Sequence, residues 1–341
     1  MDNRVYATVH LTDRTLQLYL TNIFNCLATP VNFLAFYLII KHSRRETKLF
    51  KYTLLISHLF FYVSNIFYGT IANVVLLFPF PGILLIGILE NLLNAFWSAA
   101  IWIFLFAGFV YFTFMILVVR LKIVARKGKI FDFSNRSYYI FCVILALYII
   151  GPISAIWIRS YCTRDQQIAY VTEHFPKNLM VFDNPSVHVD VSVSNQRMLI
   201  ILMLILIFSG FMIYSLLYLM IVLEISKQAT SKSLKTTNHQ RKVTNSMVFQ
   251  ILIVGTTVFP AILLQIRNAF VEPEEDTRVI TALANSCLVF ASIPCQLFMI
   301  LRNSYYRQVI LKKGGGNLEA STSDRKQSIF VQPTRRHTTF Y

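Results

Sequence analysis

The sequence predicts an all-α fold: a bundle of seven transmembrane helices with the amino terminus outside and the carboxyl terminus in the cytoplasm. Three observations predict it. Of 341 residues, 55% are hydrophobic and only 14% charged, where an ordinary soluble domain carries about 25% charged residues. A water-soluble fold of this size has too little interior to hide that much apolar surface, so lipid is the solvent that fits. Seven stretches reach the ~20 apolar residues needed to cross a hydrocarbon core about 30 Å thick. The basic residues, finally, fall on one side of the alternating loops.

Taken in order, residues 1–15 form a short extracellular segment. They contain no apolar core and hence no cleavable signal peptide, so the first span itself must direct insertion. The spans run Leu16–Ile40, Leu49–Leu77, Gly87–Val119, Tyr138–Ile158, Met198–Leu223, Met247–Ile266 and Val279–Leu301. Each is expected to be helical, because lipid offers no partner for a free backbone amide. The bundle therefore covers residues 16–301. Residues 302–313 mix apolar and basic side chains before Gly314, Gly315 and Gly316, which reads as an amphipathic helix on the membrane surface. Residues 314–341 read as a disordered cytoplasmic tail.

Orientation follows from Lys and Arg. The amino terminus and the loops 78–86, 159–197 and 267–278 carry 8 of them, and the opposite set carries 24. The positive-inside rule places the richer set in the cytoplasm. The formal net charge of +16 is thus a feature of topology, arranged in short runs between apolar segments, and it points to membrane lipid rather than nucleic acid. Five scattered cysteines, with no CxxC pair and no His/Cys cluster, predict neither a metal site nor a disulfide framework. There is no Walker loop, HExxH or GxSxG motif and no intramembrane carboxylate pair, so no catalytic residue and no cofactor is expected.

A seven-helix bundle of this orientation suits a receptor that couples an outer ligand to an inner partner, and the long polar loop 159–197 can cover its mouth. Four local sequences resemble the nematode serpentine chemoreceptors of the superfamily that includes classes H, I and Str, class H above all. These are Thr29-Pro30-Val31-Asn32 with Phe36–Ile40, Phe78-Pro79-Phe80-Pro81 ahead of Gly87, Gln240-Arg241-Lys242 leading to Phe249-Gln250 and Pro260, and Asn303-Ser304-Tyr305-Tyr306-Arg307. The resemblance covers roughly residues 16–310. It implies a G-protein-coupled chemoreceptor at the plasma membrane, displayed on a sensory cilium, that binds a small-molecule cue and activates a heterotrimeric G protein. Helix 3 ends Val118-Val119-Arg120 without an acidic neighbour, and helix 7 has Ile293-Pro294 where Asn-Pro stands in rhodopsin-like receptors. No cysteine near the outer end of helix 3 is placed to pair with Cys162.

Candidate residues follow from position. Asn94, Trp97, Ser98 and Trp102 on the third span, with Gln265 and Asn285 on the sixth and seventh, are pocket candidates, since polar groups within a span turn toward the bundle interior. Glu90 is a further ligand candidate, but at ~45 Å of helix before Arg120 it is expected at the outer head groups or in a vestibule. Asn94, Trp97 and Ser98 stand at i, i+3 and i+4 and so share a helical face. Arg120, Lys122, Arg241, Lys242 and Arg307 are candidates for contact with the G protein. Pro260 and Pro294 each remove a backbone hydrogen bond and mark hinges. Hydroxyls in the tail, Ser321 to Thr339, offer phosphorylation sites for an arrestin-type partner. Two other classes are weighed. A ligand-gated channel of the insect odorant-receptor kind has the inverse topology, against which the charge asymmetry counts. A transporter would show repeats or charged residues in mid-span, where this chain offers mainly His58.

Overall fold

The seven apolar stretches all form helices long enough to cross a membrane, and the way each begins and ends is set by local chemistry. In the computed structural model, residues 14–42, 47–77, 80–126, 128–129, 131–191, 193–229, 233–270 and 276–314 are described. The expected amino-terminal segment before residue 14 and the carboxyl-terminal tail after residue 314 lie outside them. Helix α1 spans Thr15–His42 and α2 Lys48–Ile66, continued by one π-turn, Phe67–Ile71. Strands β1 (Val74–Leu76) and β2 (Gly82–Leu85) form a hairpin. Then come α3 (Ala95–Val124), α4 (Asn135–Arg159) and a short α5 (Arg164–His174). Strand β3 (Val187–Val189) precedes α6 (Val193–Gln228) and α7 (Leu234–Ala269). The seventh span is split into α8 (Arg278–Phe290) and α9 (Ser292–Arg302), and α10 (Ser304–Gly314) follows.

Two expected boundaries are corrected. The second span was expected to run to Leu77 and the third to begin at Gly87; instead the chain leaves the helix at Ile71 and re-enters it at Ala95. The exit is made by Asn73, whose φ of 42° lies in the left-handed region that Asn tolerates better than most residues. Its side chain fixes the turn, Nδ2 donating to Thr21 Oγ1 and to the Gly69 carbonyl, both at 3.0 Å, while Oδ1 accepts from Gln17 at 2.9 Å. Apolar Val74–Leu76 then has β-branched residues to spend on a strand. Gly87 is needed where the hairpin returns, because a Cβ there would stand 2.5 Å from the Ile71 carbonyl oxygen. The entry to α3 is capped by Asn94, whose Oδ1 accepts from Phe96 N at 2.8 Å, satisfying one of the free amides of the first turn.

The strands pair antiparallel in the order β1-β2-β3, with Ile83 opposite both Leu76 and His188. This sheet and α5 close one end of the bundle over an apolar cluster of their own that includes Val75, Leu84, Val171 and Val187. Among the described residues, Lys41, Lys51, Arg126 and Arg241 mark the other, basic end. In the bundle α2 packs along α3, α1 along α8 and α9, and α7 along α8. Helix α3 is the central column, buried on all sides from Thr113 to Leu121, as expected of a helix apolar all round. Spans α4 and α6 stand at the periphery. From Gln17 to Ala35 the inward face of α1 is polar or small, Gln17, Thr21, Asn25, Ala28, Asn32 and Ala35, before Leu38 and Ile39, a pattern that lets helices approach closely and hydrogen-bond in lipid.

Candidate functional site

Beneath the sheet, four side chains from four elements meet. Tyr68, in the π-turn that ends α2, stacks on Trp102 of α3 with ring centroids 4.4 Å apart. Its hydroxyl donates to Asn285 Oδ1 of α8 at 2.5 Å, and Gln265 Nε2 of α7 donates to the same oxygen at 2.8 Å. Asn285 is fully buried. Trp102 lies seven residues into α3 and Asn285 seven into α8, about 10 Å below the helix ends at 1.5 Å per residue. Cluster and sheet are therefore stacked, one beneath the other.

The sheet-end cover is held by a few polar residues. Arg164 donates to the carbonyls of Val187 (2.8 Å), Phe182 (2.9 Å) and Asn184 (3.4 Å), stitching α5 to the chain that leads into β3. Gln167 accepts from Val189 N at 3.0 Å and donates to the Cys162 carbonyl at 3.2 Å, so its amide has one orientation. Its NH2 therefore faces His188 Nδ1, 3.1 Å away, which makes Nδ1 an acceptor and puts the ring proton on Nε2. Burial, and then the charge of Arg164, push His188 down to about 4. The Cys162 thiol, 3.2 Å from the Val189 carbonyl, is pushed up by burial. Cys162 and the other four cysteines are unpaired.

A second polar relay crosses the middle of the bundle. Asn32 Nδ2 donates to the Ala28 carbonyl at 2.8 Å, so its Oδ1 faces Gln296 Nε2 at 3.1 Å, and that nitrogen also meets His58 Nδ1 at 2.9 Å. His58 Nε2 then carries the proton. A cavity of about 20 Å³ lined by Ser57, His58, Thr113, Tyr214 and Gln250 adjoins it, room for about one water. From the sequence His58 reads as a packing or hydrogen-bonded residue rather than a proton relay, without its partners; the polar residues recurring every three or four positions along α1 were the signal for those.

At the basic end Arg120 is buried and turned toward α7. Its Nη2 donates to the Gln240 carbonyl at 3.2 Å, its Nε to Thr244 Oγ1 at 3.5 Å, and its guanidinium lies 6.0 Å from the Phe50 ring centroid. Nearby, Arg126 at the foot of α3 pairs with Glu224 of α6 at 2.9 Å, the carboxylate only 2% exposed. Neither Glu224 nor this tie to α6 was singled out from the sequence.

The sequence-derived candidates separate accordingly. Trp102, Gln265 and Asn285 come together, with Tyr68 added. Glu90 stands in the turns before α3, its Oε1 accepting from Asn184 at 3.2 Å and its carbonyl from the Ser186 hydroxyl, so it belongs to the cover. Asn94 caps α3; Trp97 is 57% exposed, and Ser98 is buried with its hydroxyl unpartnered among the described residues. The shared face expected of these three is thus split, because Asn94 lies before the helix and adjacent positions differ by 100° around it. Lys122 reaches Asn135 at 2.9 Å and lies over the Tyr138 ring. Arg241, Lys242 and Arg307 are exposed, Arg241 donating to Ser226 at 3.2 Å. Pro260 lies on the exposed side of an unbroken α7, while Pro294 follows the break at Ala291 between α8 and α9. Among the described residues no group of three or more His, Cys, Asp or Glu is placed to hold a metal.

Comparison with known proteins adds three findings. The family model described as serpentine type 7TM GPCR chemoreceptor Srh matches residues 13–314. Squid rhodopsin superposes with a TM-score of 0.55 at 12% identity, covering 96% of this chain and 93% of its own; at that identity the likeness is one of fold. No curated protein matches the chain in sequence.

Proposed function

This chain belongs to the Srh family of serpentine seven-transmembrane chemoreceptors, and from that premise we propose that it binds an external small-molecule cue at the Tyr68–Trp102–Gln265–Asn285 cluster and activates a heterotrimeric G protein at its basic end. The observation that carries the proposal is the arrangement of α7. At one end it contributes Gln265 to the cluster; at the other it holds Arg120 of α3 through Gln240 and Thr244. One helix thus joins both sites.

In this reading the sheet end faces outward and the loops holding most of the Lys and Arg face the cytoplasm. The amino terminus is then extracellular, at the plasma membrane of a sensory cilium. A ligand that binds one bundle conformation better than the other shifts their populations by its differential affinity. Drawing Gln265 toward a ligand tilts α7 about Pro260, five residues below it, with Pro294 easing the seventh span. The opposite end then leaves Arg120, whose hydrogen bonds to the Gln240 carbonyl and Thr244 are lost. The opened face, with Lys122, Arg241, Lys242 and Arg307 around it, is basic and meets an acidic partner surface. Helix α10 lies on anionic head groups, and the tail after residue 314, once phosphorylated, recruits an arrestin-type protein.

The test joins topology to coupling. An epitope at the amino terminus is labelled on intact cells, and nucleotide exchange on a heterotrimeric G protein is followed with membranes exposed to a panel of small volatile and soluble compounds. Surface labelling with compound-dependent exchange supports the proposal. Labelling only after permeabilisation inverts the topology and favours the channel class.

A further inference from the structure

We infer that the ligand of this cluster is a neutral molecule with a flat apolar body bearing one hydrogen-bond donor and one acceptor close together, as in a primary amide; the inference rests on the reading of this cluster as the ligand site. The four side chains do not satisfy one another. Asn285 Oδ1 accepts twice, from Tyr68 and from Gln265, yet Asn285 Nδ2 and Gln265 Oε1 are buried without a partner among the described residues. The remainder does not depend on how the amides are oriented. Turning both leaves Asn285 Oδ1 and Gln265 Nε2 unpaired; turning one alone sets two donors or two acceptors against each other. Each arrangement that keeps the Gln265–Asn285 bond leaves one donating and one accepting group unmet.

Buried amide groups in native structures are nearly always paired, and leaving one unmet costs free energy. The resting cluster therefore holds two groups that a ligand satisfies on arrival. The stacked rings of Tyr68 and Trp102 offer the flat face against which an apolar body lies. No Asp, Glu, Lys or Arg among the described residues makes a hydrogen bond or ion pair with any of the four side chains. A charged ligand would lose its hydration there and meet no counter-charge, so the site selects neutral molecules.

The test uses the purified full chain in detergent micelles and the shift of its thermal unfolding midpoint with added compound. The probes share a benzyl body: phenylacetamide, ethylbenzene, phenethylammonium and phenylacetate, at pH 7. Two neutral hydrogen bonds correspond to roughly tenfold to a hundredfold in affinity. Phenylacetamide is expected to bind tighter than the other three by at least about tenfold. In the N285L/Q265L double variant that preference disappears and ethylbenzene binds as well as the amide. Should the double variant fail to fold, Gln265→Met at the less buried position is expected to remove part of the preference. Equal stabilisation of the wild type by phenylacetamide and ethylbenzene, absent binding included, overturns the ligand class. A charged probe that binds best but is weakened by Trp102→Leu overturns the class and spares the site. A preference for the amide that survives both variants overturns the site.

Discussion

Acid should loosen the cover over the bundle, and the size of the effect follows from His188. The neutral ring is held with Nδ1 accepting from Gln167, whose amide is fixed by Val189 N and the Cys162 carbonyl. A proton on Nδ1 would face an NH2 group that cannot turn without losing both backbone bonds. Phe96 packs on the ring at 5.0 Å between centroids, and Arg164 adds a like charge. His188 is therefore lowered from 6.5 to about 4. Above pH 6.5 neither the closed nor the opened cover binds the proton, and no difference arises. Below it the opened cover is protonated first, so the closed state loses stability as pH falls. The loss is complete near pH 4 at about 3 kcal/mol and constant below that. At pH 5 it amounts to about 2 kcal/mol, or roughly thirtyfold in the opening equilibrium. Hydrogen exchange at the amides of β3 and α5, corrected for intrinsic rates and compared at pH 7 and pH 5, reads it directly. His188→Gln cannot titrate and should exchange with the same protection at both. Wild-type protection unchanged between the two values, or an equal loss in His188→Gln, would refute the reasoning.

Further expectations attach to the interior. Thr244→Val keeps the shape beside Arg120 and deletes one acceptor; a charge-assisted bond at long range is worth about 1 kcal/mol, so basal nucleotide exchange should rise about fivefold, and an unchanged basal rate would detach Arg120 from the resting state. Arg126→Leu leaves the buried Glu224 carboxylate without its cation, but the Arg126 side chain is 34% exposed, so the loss should be about 1–3 kcal/mol, below that of a fully buried pair, and mostly recovered in the R126L/E224L double variant; additive losses in thermal unfolding would show that the pair does not act as one. At Gly108 a Cβ would stand 2.5 Å from Phe60 Cδ1, so Gly108→Val should push α3 off α2 and destabilise by about 1–3 kcal/mol, with Phe60→Ala relieving it; a neutral Gly108→Val would mean that the two helices are not packed this closely.

The seven spans were legible because length and hydropathy alone decide whether a helix satisfies its backbone in lipid. Their ends were less so. Nothing in Val74–Leu77 distinguishes the last turn of an apolar helix from a strand until Asn73 is seen pinned by Gln17 and Thr21 of α1. Glu90, between Leu89 and Asn91, was legible as an outer residue from its ~45 Å of helix to Arg120, but its place in the turns of the cover is set by Asn184 and Ser186. Trp102, Gln265 and Asn285 stood out as polar or amphipathic groups in apolar surroundings, whereas Tyr68 did not, because tyrosine is ordinary near a membrane interface. Trp97 stood out for the same reason as Trp102 and faces the other way.

The sequence by itself determined how many times the chain crosses the bilayer, where the basic loops fall, and that no catalytic motif is present. These depend on the chain and its solvent, and each segment reports them alone. Only the tertiary structure decided that Asn285 meets Gln265 and Tyr68, that Arg120 holds α7, and that Gln167 fixes the tautomer of His188. Those pairs stand 20 to 217 residues apart in the chain; whether two polar groups so far apart satisfy each other is set by how helices pack, and packing in lipid is a property of the whole bundle.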